Sequence, residues 1–374
     1  MEEKLINNYI EQCIDELKTI YNKIESTAYI NQSKVLRAFQ KECVALRHFS
    51  GTTGYGYDDT GRDTLYKVYA DVFHTESALV SPLIASGTHA ISLCLFGLSR
   101  PRELILSITG EPYDTLSDVI KGNDIGSLAD YDIRFESIPL NRKGLIDLDA
   151  VQRTLNKVKP KIVYMQRSRG YEWRNAVSID DFEEAITLVK TLSPDSIVLV
   201  DNCYGEFVDS REPSDVGADI CVGSLIKNIG GGLAPTGGYV VGKAKLVDLI
   251  ARRLTAPSVG AEIGSYAYGY QYYFEGLFLA PHIVSQALKT ALLFSHSLSK
   301  LGYKTLPNIN DKLSDIVCSI TLNDKSKLIK FVQAIQKVSP IDSNVVPFPW
   351  DMPGYEDKVI MAAGCFVLGS SIEL

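Results

Sequence analysis

Residues 195–207 read DSIVLVDNCYGEF, and residues 217–242 read GADICVGSLIKNIGGGLAPTGGYVVG. Each segment holds a short β-branched run, at 197–200 and 220–222. Both runs are too short for a helix and are bounded by turn residues, so they read as buried parallel strands. The first ends in Asp201. The second runs out through Gly223 and Ser224 to Lys227, with Gly230, Gly231 and Gly232 close behind. A carboxylate and an amine at the ends of two apolar strands lie where an open α/β sheet binds its ligands.

Outward from this stretch the chain alternates strand and helix. SALVSPLI (77–84), ELILSI (103–108), FESIPL (135–140), KIVYMQRS (161–168), SIVLVDN (196–202), ICVGSL (220–225) and GGYVVG (237–242) read as strands. Helical periodicity fills gaps at 148–158 and 179–192. Such βα units predict an α/β fold with a mostly parallel seven-stranded sheet, covered by helices through right-handed crossovers. Before the sheet, apolar spacing predicts one helix over 2–25 and a second over 32–46. Between helices and sheet lies a loop rich in glycine and hydroxyls, turning helical near Asp63. After Ala244 a helix reaches Leu254, and a tyrosine- and glycine-dense segment follows (258–278), of the kind found at interfaces or in cores. A long helix is expected over 280–301. Strands at 315–322 and 359–368 then flank a helix at 325–338. The domain expectation is an N-terminal helical segment (1–50), a large α/β domain (51–255), and a long helix with a small α+β domain (256–374).

Composition narrows the classes of partner. Apolar residues make up 45% and charged residues 22% of 374, ordinary values for a soluble globular protein long enough for a large core. A net charge of −7 leaves no electrostatic footprint for nucleic acid. The start, MEEKLINNYI, is acidic and polar, unlike a secretory signal. The longest apolar run, 359–368, is too short to span a bilayer. Seven scattered cysteines without a CxxC pair point to reduced thiols in a cytoplasm. Five histidines without ligand spacing leave no metal site.

Several residues point to chemistry. A lysine followed by glycines, with an aspartate one strand earlier, is what pyridoxal phosphate (PLP) requires. The lysine forms the Schiff base, and the aspartate keeps the pyridine nitrogen protonated. The three glycines cost roughly 2 kcal/mol together in regular structure, so their loop must let its backbone approach something closely. Ser86, Gly87 and Thr88 open a helix directly after a strand, where free N–H groups favour an anion such as the cofactor phosphate. Ser224 is a second phosphate donor by position. Tyr113 follows a strand, where its ring would either stack on a cofactor or fill the core, and His89 competes for the stacking role. Tyr55, Tyr57 and Arg62 could contact phosphate, since arginine grips it bidentately. The segment SGTHA lacks the G-x-G-x-x-G fingerprint of a dinucleotide fold.

Taken together, GYGYDDTGRD (54–63), SGTHAI (86–91), VDNCYGEF (200–207), GSLIKNIGGGLAPTGGY (223–239) and SSIEL (370–374) resemble a family of fold-type I PLP enzymes. The family is known as methionine γ-lyase-like, or as cystathionine β-lyase linked to aluminium resistance. The resemblance covers nearly the whole chain from about Val44. It implies an aspartate-aminotransferase-like fold, PLP on Lys227, Asp201 at the pyridine nitrogen and Tyr113 as the stacking ring. It also implies that Tyr57 and Arg62 reach the phosphate of a neighbouring subunit, in a homodimer or homotetramer. The polar segment 166–169 faces the same site without an assigned role. Family members continue past SIEL into a tail with arginine and proline, so a C-terminally shortened chain is expected. No arginine follows Arg253, which leaves Arg167 or Arg169 as candidates for the substrate carboxylate.

The expected function is therefore a PLP-dependent carbon–sulfur lyase acting on a sulfur-containing amino acid, by β- or γ-elimination. Lys227 would serve as general base. Alternatives are another PLP reaction such as transamination, or a PLP-binding protein without turnover.

Overall fold

The structure, a computed structural model, describes residues 2–352 and 357–370. A single helix α1 (Glu2–Lys41) opens the chain. Its apolar spacing continues through residues 26–31, so the two helices expected over 2–25 and 32–46 are one. No proline or glycine interrupts the ladder there. Helix α2 (Thr60–Val72) follows, capped by Asp59, whose carboxylate accepts from the Gly61 and Arg62 N–H groups.

The sheet is built from β1 (Ser77–Ser81), then α3 (Gly87–Leu98) and β2 (Leu104–Ser107). Next come α4 (Ser117–Lys121), β3 (Arg134–Ser137), α5 (Leu148–Leu155), β4 (Ile162–Gln166) and α6 (Ile179–Leu192). The series closes with β5 (Ile197–Asp201), β6 (Ile220–Ser224), β7 (Gly238–Gly242) and α7 (Ala244–Leu254). The strand order is β1-β7-β6-β5-β4-β2-β3. Neighbours from β6 across to β3 run parallel, and β7 runs antiparallel to both β1 and β6.

Period-two alternation sorts each strand between two cores. Val198 and Val200 face one cluster, with Phe182 of α6 and Leu277. Ile197 and Leu199 face the other, with Cys94 of α3 and Ile250 of α7. Both faces are thus covered, as a parallel sheet requires.

Helix α8 (Gln271–Lys300) starts nine residues before the expected 280, because Pro281 does not end it. By length and composition it is apolar enough to cross a bilayer, yet it buries Phe274, Leu277, Val284 and Leu288 in the core and packs along α1. In the tyrosine-dense stretch, Tyr270 and Tyr273 are core residues, while Tyr268 and Tyr272 are exposed.

A two-stranded antiparallel sheet, β8 (Lys304–Leu306) with β9 (Ser319–Thr321), and helix α9 (Lys325–Val338) complete the fold. Residues 359–368 are not the expected strand. Only Val359 forms an isolated bridge, to Trp350. Of the SSIEL motif, residues 371–374 lie outside the described residues.

Candidate active site

The carboxyl ends of β4, β5 and β6 open into a cleft of about 1000 Å³ between the seven-stranded sheet and the segment 316–328. Seven of the nine residues expected at the site line it: Ser86, Gly87, Thr88, Tyr113, Asp201, Ser224 and Lys227.

Lys227 sits just past β6. Its Nζ lies 2.5 Å from Tyr204 Oη and 3.4 Å from the Gly369 carbonyl oxygen, and 4.4 Å from the centre of the Tyr204 ring. Asp201 ends β5 and is 6% exposed. It accepts the Cys203 N–H at 3.1 Å, but burial still pushes its carboxyl above the usual carboxylate range. Such a group fits a cationic partner in the cleft. Helix α3 points its first turn at the same space, with Ser86 as N-cap accepting from the His89 N–H. A Cβ built on Gly87 would stand 3.4 Å from both Ser224 Cβ and Cys203 Sγ. The helix start and the end of β6 therefore form one cradle, lined by hydroxyls and N–H groups that suit an anion. Thr88 Oγ1 is held at 2.8 Å from Thr115 Oγ1. Anion cradle, buried carboxyl and lysine amine together match the phosphate, ring nitrogen and aldehyde of PLP.

Tyr113 also lines the cleft, its N–H donating to Gln166 Oε1 at 2.9 Å and its ring 6.3 Å from that of Tyr171. His89 does not line the cleft. Its Nδ1 accepts from the Ala85 N–H at 3.0 Å, and burial lowers its pKa.

Tyr57 and Arg62 are not brought into this cleft by their own chain. Tyr57 is 58% exposed, its ring 5.7 Å from that of Tyr55. Arg62 is buried, donating to the Gly56 carbonyl oxygen and to Asp63, each at 2.9 Å.

Neither arginine expected to hold a substrate carboxylate is free to do so. Arg167 points away from the cleft with 0% exposure, donating to Asn202 Oδ1 at 2.8 Å and pairing with Glu212 at 3.2 Å. Strand alternation explains this, since Gln166 takes the cleft side. Arg169 spends its guanidinium on backbone carbonyl oxygens of Arg174, Leu306 and Val317.

The close backbone approach expected of the glycines after Lys227 is present. A Cβ on Gly230 would fall 1.7 Å from the Leu225 carbonyl oxygen, and one on Gly276 of α8 would fall 2.2 Å from that of Gly230. What approaches is the loop's own backbone at Leu225 and the backbone of helix α8 at Gly276.

Tyr204 was missed in the sequence. Its backbone is left-handed (φ +68°), which turns the side chain toward Lys227. Only the following Gly205 hinted at a turn. The apolar outer wall, with Ile316, Val317 and Ile320, was also unforeseen, as were the rings of Tyr171 and Trp173 at the mouth.

Strand order, antiparallel β7 and a lysine cleft at the strand ends define the fold-type I class of PLP proteins. Residues 6–374 match the sequence profile of the family described as methionine gamma-lyase. The chain is 49% identical over 362 residues to the "Uncharacterized protein YnbB" of Bacillus subtilis, covering 96% of this chain and 86% of that one. It superposes with TM-score 0.95 on the crystal structure of a carbon–sulfur lyase involved in aluminum resistance from Clostridium novyi NT. Identity there is 45%, over 99% of this chain and 88% of that one. The PLP-dependent protein YhfS of Escherichia coli shares the fold at TM-score 0.64 and 16% identity. The chain belongs to the methionine gamma-lyase family, and membership implies PLP as its cofactor.

Proposed function

We propose that the protein is a PLP-dependent lyase that cleaves a carbon–sulfur bond of a sulfur-containing amino acid. The observation that carries this is Lys227 Nζ standing in one cleft with the buried Asp201 and the α3 cradle. Bound there, the cofactor would supply an electron sink for the substrate α-carbon. Lys227 would hold it covalently and, once released, take the Cα proton on Nζ as general base. Asp201 would hold the ring nitrogen, Ser86, Gly87, Thr88 and Ser224 the phosphate, and Tyr113 one ring face. Tyr204 would keep the Lys227 amine aimed into the cleft. Membership of the family, and the carbon–sulfur lyase from Clostridium novyi NT, support this assignment.

Tyr57 and Arg62 would serve the cleft of a partner subunit in a homodimer or homotetramer. The exposure of Tyr57 beside Tyr55 supports this arrangement. Reduced cysteines, none paired among the described residues, suit a cytoplasmic enzyme.

The test is spectral and chemical. Purified protein with PLP is expected to show a visible band that borohydride fixes to Lys227. Lys227→Ala should abolish both band and turnover, and a band that survives overturns the assignment. Release of thiol and 2-oxo acid from cystathionine, methionine or cysteine identifies a lyase. Dependence on an added 2-oxo acid acceptor would instead identify a transaminase.

A further inference from the structure

The turn that follows β5 carries Tyr204 to the Lys227 amine through two left-handed residues that are not glycine, Tyr204 (φ +68°) and Phe207 (φ +62°). Such backbone persists only where its surroundings over-determine it. On the side turned from the cleft, one carboxylate does this. Glu212 Oε1 accepts the Phe207 N–H at 2.8 Å, and Glu212 Oε2 accepts from Asn202 Nδ2 at 3.0 Å and from Arg167 Nη1 at 3.2 Å. Arg167 Nη1 also donates to Asn202 Oδ1 at 2.8 Å. Both ends of the turn thus hang on Glu212, whose own N–H donates to Asp215 Oδ2 at 2.7 Å. The Arg167 stem lies under the middle of the turn, where a Cβ on Gly205 would stand 2.2 Å from Arg167 Cδ. Arg167, Asn202 and Glu212 are each 0% exposed, and none lines the cleft. A further bond ties the turn to the lysine loop, with Asn228 Nδ2 donating to the Glu206 carbonyl oxygen at 3.0 Å.

We propose that Glu212, backed by Arg167 and Asn202, is a positioning residue that acts on the chemistry through Tyr204. It holds the strained turn so that Tyr204 Oη stays against Lys227 Nζ. The inference rests on the reading of Lys227 as the PLP-bearing lysine. Stability alone does not call for this buried ion pair, since apolar side chains of similar volume often fill such a space at no greater cost. A carboxylate is required because three donors converge on it, and no neutral side chain presents acceptors at both tips. Without it, the backbone of Tyr204 and Phe207 is free to relax out of the left-handed region, and the Tyr204 ring leaves the amine.

The experiment is a double-mutant cycle on the full chain, read by spectral titration with PLP. Glu212→Gln keeps the volume but turns an amide NH2 toward donors at one tip, and Tyr204→Phe removes only the hydroxyl. Each single variant is expected to weaken PLP binding about three- to tenfold, and the double variant no more than Tyr204→Phe alone. A carboxylate that only stabilised the fold would weaken binding by the same factor in both backgrounds, so factors that multiply overturn the proposal. So does either single variant binding PLP as the parent does. Should Glu212→Gln not fold, Asn202→Ala takes its place, freeing the start of the turn while the Glu212–Arg167 pair remains, and the same outcomes decide. If the parent binds no PLP, the cofactor reading fails. The proposal is then read from the rate at which acetic anhydride acetylates Lys227, followed by mass spectrometry. Both single variants and the double are expected to react faster by one common factor. An unchanged rate in Glu212→Gln, or a further rise in the double, overturns it.

Discussion

At the scale of single residues, Lys227 is held by Tyr204, a side chain whose own backbone is strained. A left-handed tyrosine costs roughly 1 kcal/mol or more, and it persists because Asp201, Cys203 and the buried Phe207 hold the turn on both sides. Tyr204→Phe keeps the ring and removes only the hydroxyl. It is expected to weaken PLP binding about three- to tenfold in a spectral titration, with unfolding stability changed by less than about 0.5 kcal/mol. Glu206, two residues on, is fully buried and accepts from Tyr239 Oη at 2.8 Å. Burial pushes its carboxyl up to about 8. Its protonated form is therefore favoured in the folded chain. The stability it lends is complete below the unfolded carboxyl's pKa near 4.5 and is lost as pH rises through about 8. Glu206→Gln keeps the acceptor and cannot ionise. Urea unfolding at pH 6 and pH 9 should show the parent losing on the order of a few kcal/mol relative to the variant. Parallel curves would rule this out.

At the scale of elements, the lysine loop owes its shape to helix α8. Gly276 on α8 and Gly230 in the loop approach each other backbone to backbone, and Gly231 adopts a left-handed φ of +55° beside the Gly276 carbonyl oxygen. No Cβ fits between them. Gly276→Ala would force the helix outward and carry the loop with it. A loss of about 2–4 kcal/mol is expected by chemical denaturation, together with weaker PLP retention. A neutral Gly276→Ala would mean that the loop holds its form without α8.

At the scale of the whole molecule, the cleft draws on both parts of one chain, and the proposed reading adds a second chain. Tyr57 lies outside its own cleft, so its contribution can be tested in trans. Tyr57→Ala and Lys227→Ala are each expected to be nearly inactive alone. Random re-association into dimers should restore roughly a quarter of parental activity, because half the dimers are mixed and each carries one intact site. No recovery on demonstrated mixing would place Tyr57 outside the site.

Much of this protein was legible in its residue order. Short β-branched runs such as 197–200, ended by Asp201, and the helix opened by Ser86 are local patterns set by chain geometry, so the seven strands could be read directly, as could seven candidate residues that line the cleft. The family resemblance added the fold type. What neighbours do across the chain was not legible. Whether Arg167 faces the cleft or the core depends on which side of β4 the sheet presents, and whether Arg169 is available depends on carbonyl groups 137 and 148 residues away. The glycines after Lys227 announced a close approach, but only the tertiary structure identified Leu225 and α8 as what approaches. Local periodicity follows from backbone sterics within a few residues, whereas the pairing of buried polar groups is settled only when distant segments exclude water together.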